Sequence, residues 1–179
     1  MYENGYKRLQ ASLIDVIAEE QAKLGYMKEP LRLYYPLSSL NHFFESDGDA
    51  EAMQKALGGF PEATKEIFGE VQVSHKGDRF CFFLSEKATE YVHEHQGENA
   101  FIFSLVQLLA NHGTTMDEVK KLFQSQTTPC VMEPMDNGEF DLMIRFDNGE
   151  DPYYYCFKDE GCHIIYHRFL PEDYADFEF

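Results

Sequence analysis

From Glu3 to Leu24, apolar residues recur at Tyr6, Leu9, Leu13, Val16, Ile17 and Leu24, with Glu19, Glu20 and Lys23 on the opposite side. This is the period of an amphipathic helix, and Gly25 is a natural stop. Pro30 and Pro36 bracket Leu31–Tyr35, which reads as a short extended segment. Two short helices are predicted next: Ser39–Glu45 with a serine cap, and Asp49–Leu57 ending at Gly58-Gly59. Glu62–Phe68 adds a turn or two before Gly69. Val71–Ser74 and Arg79–Leu84 flank His75-Lys76-Gly77-Asp78, the pattern of a β-hairpin. Ser85 is placed to cap a helix running to about His95, with Ala88, Tyr91, Val92 and His95 as its buried face. The stretch from Asn99 to His112 is apolar nearly all round, which predicts a helix in the centre of a core. Thr115-Met116-Asp117-Glu118 then forms a capping box for a helix through Phe123.

Past Pro129 the period changes to two. Phe140, Leu142, Ile144 and Phe146 alternate with Asp141, Met143 and Arg145. The tetrapeptide Asp-Asn-Gly-Glu flanks this strand at 136–139 and 147–150, and Asn-Gly supplies the positive φ angles of tight turns. Tyr153–Lys158 and Cys162–Phe169 continue the pattern around Asp159-Glu160-Gly161. The fold class is therefore α+β, in one domain over residues 1–179. A helical part (1–128) with an inserted hairpin precedes an antiparallel meander of three or four strands (129–170) and an acidic tail (171–179).

Composition narrows the function classes. The chain has 179 residues, 44% of them hydrophobic and 15% aromatic, which excludes wholesale disorder. Its 15 Lys+Arg against 32 Asp+Glu give a net charge of −17, which disfavours nucleic acid or an anionic membrane as the main partner. From Glu133 onward, 13 acidic residues face only Arg145, Lys158 and Arg168. The N-terminus reads straight into an amphipathic helix, and no stretch approaches a membrane span. Cys81, Cys130, Cys156 and Cys162 are scattered, so reduced thiols in the cytoplasm are expected.

Motifs for chemistry are incomplete. Glu90 and His93 form an E-x-x-H pair on one helix face, but carboxylate-bridged bundles use two such pairs plus further glutamates. A solvated Glu–His contact is the plainer reading. His163 and His167 lie about 13 Å apart along a strand, too far to share one ion. Asp47-Gly-Asp49-Ala-Glu51 starts like a calcium loop, yet Ala52 and Gly58 stand where glycine and glutamate are needed. Cys81 and Cys156 sit among aromatics, the setting of inert thiols. No complete nucleophile, phosphate-loop or dinucleotide motif occurs, and no cofactor is expected. Leu109-x3-Gly113-x5-Val119 has helix-turn-helix spacing, and Lys120, Lys121 and Gln124 could meet DNA, but Asp117 and Glu118 oppose them. The most suggestive surface is the C-terminal sheet. Tyr153, Tyr154, Tyr155, His163 and His167 could face a partner there, against the plainer reading of cross-strand aromatic packing.

The opening Met1–Tyr26 and closing Tyr153–Phe169 resemble an uncharacterised bacterial family of about this length. The resemblance rests on an amphipathic first helix and a tyrosine-rich meander. It implies a bacterial cytoplasmic protein and carries no activity, substrate or cofactor.

The sequence thus favours a non-catalytic, acidic binding domain engaging a basic protein partner. The rivals are a small hydrolase or metal-dependent enzyme with a site assembled from distant residues, and a DNA-binding helix-turn-helix at 109–124. Oligomeric state is not legible.

Overall fold

A computed structural model describes residues 2–147 and 151–176. The second Asp-Asn-Gly-Glu turn beyond Asp147, and the closing Phe177 and Phe179, lie outside the described residues. The architecture is α+β: a helical N-terminal part with a three-stranded sheet, then a four-stranded antiparallel sheet. Contacts gather the chain into two compact units, Met1–Phe103 and Ser104–Phe179.

The first unit starts with α1 (Glu3–Leu24), whose Leu9, Leu13 and Ile17 are buried as the helical period predicts, together with Ala18, whereas Leu24 at its end is exposed. The bracketed extended segment is a full strand, β1 (Leu31–Pro36). It pairs antiparallel with β3 (Arg79–Leu84), which also pairs with β2 (Val71–Lys76), so the expected hairpin gains a third strand in the order β1-β3-β2. Gly77, at φ 56, opens the two-residue turn between β2 and β3. Helices α2 (Leu37–Phe44), α3 (Ala50–Ala56), α4 (Phe60–Ala63) and α5 (Lys65–Phe68) lie between β1 and β2, and α6 (Glu86–Glu94) follows β3. One sheet face, carrying Tyr35, Phe80, Phe82 and Leu84, is buried. Tyr35 meets Phe43 and Phe82 edge-on, and Phe82 meets Phe60 likewise, the ring geometry that the aromatic quadrupole favours. Ser12 Oγ and Tyr35 OH lie 2.8 Å apart in the core, and Gln21 Nε2 donates to Thr89 O at 2.9 Å.

Several helix ends depart from the sequence pattern. Ser39 lies buried inside α2, which starts at Leu37 because the Leu37 N–H reaches Asp78 O at 2.7 Å. Ser85 precedes α6, but its hydroxyl donates to Phe68 O at 2.7 Å instead of capping. The buried stripe of α6 is Ala88, Thr89 and Val92, while Tyr91 and His95 stay half-buried and stacked at 4.0 Å. Asp49, drawn from the calcium-like run, is an N-cap whose side chain accepts from Ala52 N.

Helix α7 (Ala100–Ala110) runs across the division between the units. It is one-sided: Ile102, Leu105 and Val106 are buried, while Ala100, Ser104, Gln107 and Ala110 form an exposed stripe at helical spacing. Residues 104–128, which the sequence pattern groups with the N-terminal helices, belong to the second unit. There α8 (Met116–Gln124) opens with the expected capping box, Thr115 Oγ1 accepting from Glu118 N and Glu118 Oε2 accepting from Thr115 N. Strands β4 (Cys130–Pro134), β5 (Leu142–Phe146), β6 (Tyr154–Asp159) and β7 (Ile164–Phe169) form the meander in sequential order. Leu142, Met143 and Ile144 are all buried, so β5 is covered on both faces. Phe123 of α8 packs on Phe146, Tyr155 and Phe157 on one side. On the other, Met143, Cys156 and Phe169 pack with Tyr154 and with Tyr174 of α9 (Pro171–Asp176), the helix formed by most of the expected tail.

Candidate functional site

The antiparallel meander brings its β4–β5 and β6–β7 turns to the same end of the sheet. The first turn is a seven-residue connection, longer than a two-residue Asn-Gly hairpin. Asn137 Oδ1 accepts from the N–H groups of Glu139 and Phe140, and only Gly138 takes a positive φ, 79°. In the second, Asp159 Oδ1 accepts from Gly161 N. The turns are tied together by Lys158 Nζ to Gly138 O at 3.1 Å and Asp159 N to Asp141 Oδ2 at 2.8 Å. Glu133, Asp136, Glu139, Asp141, Asp159 and Glu160 are therefore gathered at one end, all exposed. Lys158, 3.6 Å from Asp141, is the cation among them. Among the described residues, the side chains of Glu133, Asp136, Glu139 and Glu160 make no hydrogen bond or ion pair.

The residues singled out on this sheet separate into two groups. Tyr153 and Tyr155 share a face with Arg168, whose guanidinium lies 4.3 Å from the Tyr153 ring and 5.9 Å from that of Tyr155. Both tyrosines are buried, and Tyr155 OH donates to Asp151 Oδ2 at 2.6 Å. Tyr154 points the other way, half-buried against the Tyr174 ring at 4.9 Å. The tyrosine run is thus aromatic packing on both faces of the sheet. His163, just ahead of edge strand β7, and Ile165 and His167 on it are exposed in a row, Ile165 at 45% and His167 beside the Phe169 ring at 4.4 Å.

Glu90 and His93 lie in the first unit on α6, each with its own neighbour. Glu90 pairs with Lys28 at 2.8 Å. The His93 ring stacks on Tyr26 at 3.9 Å, and its Nδ1 lies 3.0 Å from Gln96 Nε2. Among the described residues, no three His, Cys, Asp or Glu side chains are grouped to hold a metal ion.

Of the cysteines, Cys156 is fully buried, and desolvation pushes its thiol up to about 12. Cys162 is the exposed one, and its Sγ lies 3.1 Å from His163 Nδ1. Adjacency in the sequence was the only available sign of that pair. The Leu109–Gln124 helical pair has its turn pinned by Gly113 N to Cys162 O at 3.2 Å and Thr114 Oγ1 to Leu108 O at 2.7 Å. On α8, Val119 and Phe123 are buried, and Lys120 lies 3.8 Å from Asp117. No helix among the described residues is long and apolar enough to cross a membrane.

The chain belongs to the family described as "Domain of unknown function, E. rectale Gene description (DUF3877)", which matches residues 6–177. No curated protein and no solved structure matches it.

Proposed function

We propose that this chain is a non-catalytic binding protein of the bacterial cytoplasm whose acidic surface engages a basic protein partner. The observation that carries the reading is the end of the meander. Six exposed carboxylates collect there around one lysine, and four of them serve no internal hydrogen bond. Like charges held together repel one another, so such a cluster is relieved most by an external cation. The exposed row His163, Ile165 and His167 adjoins it and adds an apolar contact. The four free thiols fit a reducing compartment. The test is retention of proteins from native lysate on the immobilised chain. Basic proteins held at low salt and released at moderate salt are expected, and a retained set with no basic member contradicts the reading.

A second reading, a small hydrolase, is favoured by one observation, the 3.1 Å approach of Cys162 and His163. A thiol beside an imidazole is the beginning of a nucleophilic site. It requires that His163→Ala slow iodoacetamide attack on Cys162 and that alkylation abolish a measurable hydrolysis. An unchanged alkylation rate removes it.

A further inference from the structure

The three-stranded sheet of the first unit has a second face. Register places Arg32, Tyr34 and Pro36 of β1, Arg79, Cys81 and Phe83 of β3, and Gln72, Ser74 and Lys76 of β2 together on it, opposite the buried Tyr35, Phe80 and Phe82. Of these nine residues three are cations and none is acidic, in a chain of net charge −17. The cations are held in place rather than paired off. The Arg79 guanidinium lies 4.7 Å from the Tyr34 ring, and that of Arg32 lies 5.3 Å from Phe83. Among the described residues, Arg32, Lys76 and Arg79 form no ion pair. All three are exposed, as is Tyr34 at 52%.

The rows across the sheet differ in chemistry. Lys76 and Arg79 stand directly opposite each other, next to an open groove of roughly 520 Å³ lined by Tyr34, Tyr35, Pro36, Lys76, Asp78 and Arg79. Two neighbouring cations with a guanidinium fork suit a phosphate group. Four residues away, about 13 Å along the strands, Arg32 lies over Phe83 beside Gln72, a planar platform with an amide at its edge. Ser74 and Tyr34 lie between. Exposed acids stand just past both ends: Asp78 in the turn, and Glu29 and Glu70 ahead of β1 and β2. Asp78 lines the groove beside Lys76 and Arg79, and Glu70 accepts from Gln72 Nε2 at 2.8 Å, so an acid bounds each end of the patch and a long polyanion would be repelled there.

We propose that this face binds a nucleoside polyphosphate, with its phosphates on Lys76 and Arg79 and its base stacked on the Arg32–Phe83 platform. The proposal is independent of the acidic-surface reading, which concerns the other unit.

The test is calorimetric titration of the full chain at low salt, without divalent metal, using ATP, adenosine, inorganic pyrophosphate, hexauridylate and a hexaglutamate peptide. ATP is expected to bind with a Kd below about 1 mM, and adenosine and pyrophosphate about tenfold or more weakly. Arg79→Glu and Lys76→Glu are each expected to weaken ATP at least about tenfold, and Lys120→Glu to leave it unchanged. Tyr34→Ala, at an exposed site, gives a further variant whose fold is not at risk. Absence of ATP binding at millimolar concentration overturns the proposal. So does ATP affinity indifferent to Lys76, Arg79 and Tyr34, or tighter binding of hexauridylate or hexaglutamate than of ATP.

Discussion

Gly5 sits where α1 passes the Phe44 ring, and a Cβ built there would lie 2.7 Å from Phe44 Cδ1. Alanine is the better helix former by up to about 1 kcal/mol, but the clash falls on the root of a packed ring. Gly5→Ala is therefore expected to lower stability by about 1–2 kcal/mol, read as a shift in the chemical-denaturation midpoint. The cysteines give a second residue-scale prediction. Iodoacetamide at pH 8 modifies exposed Cys162 readily and reaches Cys156, with its thiol pushed up to about 12, only on unfolding, as peptide mapping would show. At this scale the sequence was legible where a residue's partner is local. Thr115 and Asp49 cap the helices they precede. It was illegible where the partner is distant: Ser85 turns to Phe68 O, seventeen residues back, and no local pattern reports that.

Among elements, β1 shows why short segments are hard to read. Its buried Tyr35 and exposed Arg32 and Tyr34 do alternate, but five residues between prolines carry little signal, and pairing with β3 is what makes them a strand. The meander was legible because three segments, Phe140–Phe146, Tyr153–Lys158 and Cys162–Phe169, carry the period of two, whereas β4, half-buried along most of its length, shows no such alternation. Which face is buried was not legible, because both are: α8 covers one and α9 the other. The tyrosine run therefore went into packing, while strand alternation gave only the shared side of His163, Ile165 and His167 and not their exposure. For α8, Thr115→Ala should cost about 1 kcal/mol by removing one acceptor and freeing its Glu118 partner. Hydrogen bonds from Thr115 hold the Glu118 carboxyl below its ordinary 4.5. The cap's contribution is thus present above that value and is lost as pH falls through the depressed folded-state value. Glu118→Gln is expected to flatten that part of the acid-unfolding profile, measured by circular dichroism, and an unchanged profile contradicts it.

At the scale of the whole molecule, charge is the property the sequence states most openly and places least well. The count of 13 acids against three bases from Glu133 onward locates an excess in the chain, but not in space. Antiparallel topology supplies the missing step, because consecutive hairpins return alternate turns to one end, and six of those acids lie in or beside two such turns. The basic face of the other sheet was hidden for the same reason. Arg32, Lys76 and Arg79 are far apart in the chain, and only the β1-β3-β2 order makes them neighbours.

The most direct test of the acidic-surface account is the affinity of a purified basic partner for the native chain and for the Asp136→Lys/Glu139→Lys/Glu160→Lys variant, each measured across a salt series. These three side chains hold no internal hydrogen bond or ion pair among the described residues, so the variant should fold as the native chain does. The account predicts a loss of affinity of about tenfold or more, with a visibly shallower salt dependence. Equal affinity and equal salt dependence for the two proteins would contradict it.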